Sequence, residues 1–449
     1  MTSAPHPRTW LGASAYDIPW PSLRVVVCGS GVSGSAAARF LRERGADVDV
    51  VDVPPGSAVP DIGRPDLLIA SPGWSPSHPL LAQAFAAGVP IWSEVELAWR
   101  ATPAGTGWLA VTGTNGKTTT TEMLLAILHG HGVSAAAAGN IGAALIDVVS
   151  APGPPRWLAV ELSSFQLHWP HTLHPRAAAV LNVAADHLDW HGSIEGYAHD
   201  KGSIFTAGTH AVYNIDDTWS RRLAAACADR VGFTLDEPDL AAYGVAAGSL
   251  VAPGHTRICA VAELSVAGAH NVANALAATA LAAAAGVPAQ VAGNALRQFR
   301  SGAHRLAEIA TVGGVRFVDD SKATNPHAAA RALASYQSVV WIAGGLNKGL
   351  HFDDLVAGAR ERLKAVVLIG ACAAQIRGAL LRHAPDVPVT AADSMHTAVE
   401  AAAGIARSGD TVLLAPAAAS MDMFRDYGDR GDQFVAAVRE LERRTECHP

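Results

Sequence analysis

A chain of 449 residues, half of them hydrophobic and 16% charged, can bury several cores, and at roughly 150 residues per domain it predicts about three domains. Its formal net charge of −7 argues against nonspecific binding to nucleic acid or to an acidic membrane, which takes a basic surface. The five cysteines, Cys28, Cys227, Cys259, Cys372 and Cys447, are scattered and form no Cys-x-x-Cys pair, which speaks against a disulfide frame or zinc knuckle and for a reducing compartment.

Residues 1–22 carry prolines but no apolar run, so no signal peptide is expected. The most apolar stretch, around Ala275 to Val287, is Ala-rich and shorter than the roughly 20 residues that a membrane span needs. A cytoplasmic protein with neither membrane nor nucleic-acid partner is expected. Only five of the 33 basic residues are lysines: Lys117, Lys201, Lys322, Lys348 and Lys364. Where arginine serves as the general cation, a retained lysine points to a task needing a compact ammonium, or one that can lose its proton.

Taken in order, Leu23 to Val27 reads as a strand, then Gly29-Ser30-Gly31-Val32-Ser33-Gly34, then a helix through Arg44. A second strand, Val48 to Val51, ends in Asp52. Read alone, this is a dinucleotide-binding fingerprint with its acid about 20 residues on. The same geometry serves any nucleotide diphosphate, and a triphosphate loop comes after it. Leu67 to Ala70 runs into Ser71-Pro72-Gly73, and Ile91-Trp92 into Ser93-Glu94; strand ends of this kind are where α/β sheets bind ligands. Ala101 to Gly107 reads as a linker.

Trp108 to Val111 is a strand and Thr118 to His129 a helix stopped by Gly130. Between them lies Gly113-Thr114-Asn115-Gly116-Lys117-Thr118-Thr119, a glycine turn whose backbone N–H groups and helix terminus suit phosphate oxygens. Lys117 would reach the terminal phosphates of ATP, and the Thr118 hydroxyl would hold Mg²⁺. The standard eight-residue pattern would need glycine at position 111, which is Val111, so the loop is a shorter variant. Glu161 ends the strand Trp157 to Val160 and is placed either to hold Mg²⁺ or to cap the next turn.

Ala177 to Leu181 leads into Asn182 and Asp186-His187. His187 and His191 are four apart, with His168, His171, His174 and His199 nearby, so zinc is conceivable. But Leu188 stands where a metalloprotease has glutamate, and a strand-end ligand or active-site group is the better reading of His187. Lys201 sits on a helix running to about Phe205 and, taken alone, reads as a solvated lysine. Asn271 and Asn274 share one face of an Ala-rich helix, where they read a base edge or cap the helix. Strands ending in Asp319-Asp320-Ser321-Lys322-Ala323-Thr324-Asn325, Gly344 to Lys348, Gly370 and Pro416 to Ser420 then alternate with helices, as in a doubly wound parallel sheet. The fold class is α/β in three domains: Rossmann-like over 1–104, P-loop ATPase-like over 105–301 and Rossmann-like over 302–449.

The phosphate turn, Gly139-Asn140-Ile141-Gly142, Glu161-Leu162-Ser163-Ser164, Asp186-His187-Leu188-Asp189, His270-Asn271, His304-Arg305, Asp320 to Asn325 and Ser420-Met421-Asp422-x-Phe424 together resemble the Mur ligases. The last two groups resemble the D-glutamate-adding branch. The resemblance implies amide formation between UDP-N-acetylmuramoyl-L-alanine and D-glutamate, driven by ATP through an acyl phosphate, in peptidoglycan precursor synthesis. A Mur-type or folate-type ligase for another amino acid is the alternative. It further implies a monomer, with Lys117, Glu161, His187, Lys201 and Arg305 as the catalytic set. One Mg²⁺ would sit on Thr118 and Glu161, and a second on His187 and a carbamylated Lys201. Carbamylation turns a repelling ammonium, of ordinary pKa about 10.4, into an anionic oxygen ligand. Asn271, Asn274, Arg305, Asp320 and Lys322 would contact ATP. Thr324, Lys348, Ser420, Met421 and the backbone at Tyr427 would hold D-glutamate. Val32, Ser33, Asp52, Ser71, Gly73 and Asn140 would hold the nucleotide-linked substrate.

Overall fold

The computed structural model describes residues 9–53, 59–169, 172–266, 268–300, 302, 304–347 and 350–446. Lys348, His171, Cys447 and the first eight residues lie outside them. The chain forms two compact units, one of Met1–Val183 with Glu195–Phe299, the other of Ala184–Ile194 with Arg300–Pro449.

The first unit contains two parallel sheets. One has four strands in the spatial order Asp47–Val51, Arg24–Cys28, Leu67–Ala70, Ile91–Ser93. The other has six: Arg230–Phe233, His210–Asn214, Ala177–Val180, Gly107–Thr112, Trp157–Glu161, Ala135–Gly139. The three inner strands from Ala177, Gly107 and Trp157 are almost wholly buried, which is why their sequence is unbroken Ala, Val and Leu rather than alternating. Helices Lys117–Gly130 and Ala269–Ala284 pack on one face, their Met123, Leu124, Ile127, Ala275, Leu276 and Leu281 sharing one core. The sequence stop at Gly130 is displaced by two residues. Gly130 is still helical, and the left-handed residue is Gly132, at φ +77°. The helix carrying Lys201 likewise spans Ile194–Gly202 and ends before Phe205.

Residues 9–22 brace the helix Glu94–Arg100. Trp10 meets Trp92 edge-on at 5.9 Å, Arg100 lies 4.3 Å over the Trp92 ring, and its Nη1 donates to the Ala13 carbonyl at 3.0 Å. From the same helix Glu96 pairs with Arg100 Nε at 2.7 Å and accepts Thr172 Oγ1 at 2.6 Å, while Glu94 accepts the Ile146 N–H at 2.6 Å. These contacts join the two sheets of the unit. A further small antiparallel sheet, Gly244–Ala246, Ser249–Ala252 and Thr256–Ala260, escaped the sequence reading. Its first turn, Ala247-Gly248, takes positive φ at both residues without the Asn-Gly or Asp-Gly pair that betrays a tight hairpin.

The second unit is built on a six-stranded sheet ordered Ala307–Val312, Val315–Asp319, Thr411–Leu414, Val339–Gly344, Leu363–Ile369, Val389–Ala391, with apolar clusters on both faces. It is parallel except at its first edge, where Ala307–Val312 runs antiparallel to its neighbour. That strand corrects the expectation of an all-parallel sheet. Its burial barely alternates, so it left no clear period in the sequence. Helix Tyr427–Glu446 is the last described element. Among the described residues no helix is long and apolar enough to cross a membrane. The remaining lysine, Lys364, pairs with Asp410 and Ser338 shares the same carboxylate, at the opposite end of the strands from the polar loops.

Candidate active site

Strand Gly107–Thr112 delivers the chain into the turn at Gly113–Gly116, and helix Lys117–Gly130 begins at once. Gly116 has φ +86°, and a Cβ there would lie 2.4 Å from Asn274 Oδ1, so only glycine lets Asn274 rest on the turn. Asn274 and Asn271 do share a face, 3.5 Å apart. Asn182, beyond the end of the adjacent strand, braces the turn three ways. Its carbonyl accepts Thr114 N–H at 2.9 Å, its Oδ1 accepts Asn115 N–H at 2.9 Å, and its Nδ2 donates to the Asn115 carbonyl at 3.0 Å. The sequence reading passed over Asn182; its only signal was a polar residue at a strand end.

Lys117 Nζ donates to the Gly113 carbonyl at 2.8 Å and to the Thr114 carbonyl at 3.0 Å. Lys201, 1% exposed, donates to the same Gly113 carbonyl at 2.9 Å and lies 4.3 Å from the Tyr197 ring. The Lys117 ammonium, at the positive end of a helix, concentrates positive potential where a polyanion is stabilised. Thr119 lies one residue further along this helix, with Thr118 buried beside it.

Glu161, 1% exposed, receives Asn140 Nδ2 on Oε1 at 2.8 Å, while its Oε2 is buried with no hydrogen-bond partner. A buried carboxylate oxygen without a donor is costly, and a hard divalent cation supplies what it lacks. The capping role is taken by Ser163, whose Oγ accepts Gln166 N–H at 3.2 Å while Gln166 Oε1 accepts Ser163 N–H at 2.9 Å. The orphaned Glu161 oxygen therefore fits a divalent cation. His187, in the second unit, is left-handed at φ +53° and holds Nε2 3.7 Å from Asp186 Oδ2. His168 pairs with Asp200 at 3.0 Å and His174 with Thr206 at 2.9 Å. Among the described residues no three His, Cys, Asp or Glu side chains gather as a metal site.

At the carboxyl edge of the four-stranded sheet the Asp52 carboxylate accepts the Ser30 N–H at 3.0 Å, and Ser71 Oγ reaches the Gly29 carbonyl at 3.5 Å. Val32, 74% exposed, and Ser33 open the helix after this turn, and exposed Gly73 lies just past Ser71 in the loop after Leu67–Ala70. Five of the six residues expected to hold the nucleotide-linked substrate thus share one edge. Asn140 belongs instead to Glu161 at the edge of the six-stranded sheet.

In the second unit the strand-end loops are stitched together. Lys322 N–H donates to the His304 carbonyl at 3.2 Å and Leu306 N–H to Asp320 Oδ1 at 3.2 Å, which seats Arg305 on the loop carrying Asp320 and Lys322. Desolvation, reinforced by the charge of Asp319, pushes the partly covered Asp320 carboxyl up to about 7 against the pull of the Leu306 N–H. Lys322 Nζ lies 3.9 Å from the Tyr427 ring. Thr324 is half-buried, Ser420 4% exposed, and Met421 69% exposed. His304, unremarked beyond its motif, holds Asp319 at 2.6 Å.

A glycine turn contacted by two lysines, a strand-end carboxylate with an unpartnered oxygen and a separate sheet with basic and hydroxyl residues at its strand ends fit a nucleotide-using enzyme. Residues 111–282 match the family model described as Mur ligase middle domain, and residues 304–418 that described as Mur ligase, glutamate ligase domain. The chain belongs to the Mur ligase family. A UDP-N-acetylmuramoylalanine–D-glutamate ligase of Frankia casuarinae is 56% identical over 452 residues, covering 95% of this chain and 96% of that protein. The solved UDP-N-acetylmuramate-alanine ligase of Thermotoga maritima superposes with TM-score 0.61 at 20% identity, over 93% of this chain and 100% of that one. A Mur ligase of the same organism solved with ADP, MurF, also gives 0.61, at 18% identity over 94% and 96% of the two chains. At such identities the structures establish the Mur ligase fold alone. The family model for the middle domain spans the turn, Glu161, Lys201 and Asn274, and that for the C-terminal domain begins at His304.

Proposed function

We propose that this Mur ligase joins D-glutamate to UDP-N-acetylmuramoyl-L-alanine at the expense of ATP, as a cytoplasmic monomer in peptidoglycan precursor synthesis, and so serves cell shape and division. The observation that carries the reading is 56% identity, over nearly the full length of both chains, to a ligase of that name. Its three-domain division would be 1–104 for the nucleotide-linked substrate, 105–301 for ATP and 302–449 for the amino acid.

The chemistry suits the residues. A donor carboxylate oxygen attacks the γ-phosphorus and the bond to ADP breaks, giving an acyl phosphate. The D-glutamate amine attacks the acyl carbon and sheds a proton, and the tetrahedral adduct expels phosphate. Both reactants of the first step are anionic, so the repulsion between them is the main barrier to be lowered. Lys117 would move from the Gly113 and Thr114 carbonyls onto the phosphates, and Arg305 would meet the terminal one. Thr118 and Glu161 would hold one Mg²⁺, and His187 with a carbamylated Lys201 would hold a second; bound magnesium would neutralise phosphoryl oxygens. Asn271, Asn274, Asp320 and Lys322 would hold ATP. Val32, Ser33, Asp52, Ser71, Gly73 and Asn140 would hold the nucleotide-linked donor. Thr324, Lys348, Ser420, Met421 and the Tyr427 backbone would hold D-glutamate.

The test is phosphate release with ATP, donor and each of several amino acids. D-Glutamate should be required and the D-enantiomer preferred. Release that needs the donor but is indifferent to D-glutamate would defeat the substrate assignment.

A further inference from the structure

Arg430, in the first turn of helix Tyr427–Glu446, is fully buried at 0% exposure and stands outside every motif of the active site. Its guanidinium spans two loops that leave adjacent parallel strands, Val315–Asp319 and Thr411–Leu414. Nε donates to Ser321 Oγ at 3.0 Å and Nη2 to the Ser321 carbonyl at 2.8 Å. Nη1 donates to the Ala418 carbonyl at 3.1 Å. Ser321 Oγ in turn donates to the Tyr427 carbonyl at 2.8 Å, so the helix start and the first loop hold each other.

Among the described residues no carboxylate comes within ion-pair distance of this guanidinium; Asp422 and Asp319 act on it only at longer range. Desolvation lowers its pKa to about 10. A buried cation satisfied mainly by neutral oxygens is an expensive way to fill space. What arginine offers here, and lysine or methionine does not, is a planar fork that fixes three acceptors at set spacing.

The second loop needs such a fixture. Ala417 is left-handed at φ +60°, a strained state for a residue with a Cβ, and its N–H donates to the Ala323 carbonyl of the first loop at 2.9 Å. Arg430 grips the very next carbonyl. The first loop carries Lys322 and Thr324, and the second leads into Ser420.

We propose that Arg430 is a positioning residue for the amino-acid substrate: it sets the spacing of loops 320–325 and 415–420, and with it the geometry that Thr324 and Ser420 present to the D-glutamate carboxylates. This rests on the function proposed above.

The test is kinetics and amide hydrogen exchange on the full chain with Arg430→Lys and Arg430→Ala, alongside Ser321→Ala as a milder cut. The expected result is a rise of at least about tenfold in KM for D-glutamate, with KM for ATP and for the nucleotide donor moving less than about threefold. Ser321→Ala should move KM for D-glutamate the same way, by about two- to fivefold. Methylguanidinium should restore Arg430→Ala in part, and methylamine should not. Backbone amides of both loops should exchange faster in Arg430→Lys, a readout that does not depend on which amino acid is the substrate. If wild-type turnover ignores D-glutamate, the substrate assignment fails by itself, and the exchange data still decide the clasp. Unchanged exchange in both loops would overturn the inference, as would three KM values that move together.

Discussion

The phosphate turn of the first unit and the paired loops of the second do the same job by different means. Each holds irregular backbone at the carboxyl edge of a parallel sheet. In the turn, backbone geometry does most of the work: Gly116 accepts a conformation closed to other residues, and Asn182 from the next strand closes three hydrogen bonds on two residues. In the paired loops a side chain does it, because Arg430 reaches from a helix 109 positions beyond Ser321. A turn built from consecutive residues leaves a contiguous motif. A clasp built from distant ones leaves an isolated arginine.

The largest effect that would break this contrast is expected at Lys117. Lys117→Ala should lower kcat by about 10³-fold, since it removes a preorganised charge from the transferring phosphoryl group, with little change in melting temperature. Activity within tenfold of wild type would mean that the phosphates bind elsewhere. Next comes Glu161→Gln, which keeps the Asn140 contact sterically possible but removes the charge on the orphaned oxygen. It should cost about 10²-fold and shift the Mg²⁺ titration to higher concentration; an unchanged magnesium dependence would remove Glu161 from the metal site. Asn182→Ala sharpens the comparison from the side of the turn. Urea unfolding should register a loss of about 1–3 kcal/mol for the Asn115 N–H and carbonyl left without their side-chain partner, the Thr114 bond to the Asn182 carbonyl being kept, and KM for ATP should rise about tenfold.

The smallest effect is on pH dependence, and it compares one desolvated carboxyl in each unit. Desolvation pushes Glu94, which accepts the Ile146 N–H beside Asp147, up to about 7, and Asp320 likewise to about 7. In both, the folded state keeps a proton that the unfolded chain has released above about pH 4. Folded protein therefore binds more protons between about pH 4 and 7, and each group makes stability fall as pH rises through that window. Glu94→Gln and Asp320→Asn should each flatten the fall, as measured by melting temperature against pH. A variant whose slope matches wild type would show that its carboxyl is not the one titrating.

The strand order of each sheet was not readable, but its ingredients were. Runs such as Leu67–Ala70 and Trp157–Val160 are apolar because both faces are covered, and their ends stand out as Ser71, Glu161 and Asp320. The edge strand Ala307–Val312 and the Ala247-Gly248 hairpin were missed, because one has an irregular burial pattern and the other uses a turn with weak local chemistry. At the site, the glycine turn Gly113 to Thr119 and the strand-end place of Glu161 were legible, whereas Lys201 read alone as a solvated lysine and is 1% exposed. Asn182 and Arg430 were not legible, since only tertiary structure brings them to their partners.

In the proposed reaction the donor carboxylate is phosphorylated before the amine attacks. UDP-N-acetylmuramoyl-L-alanine labelled with ¹⁸O in its alanyl carboxylate, turned over with ATP and D-glutamate, should transfer one labelled oxygen to the released phosphate. Phosphate free of label, with amide formed at the normal rate, would contradict it.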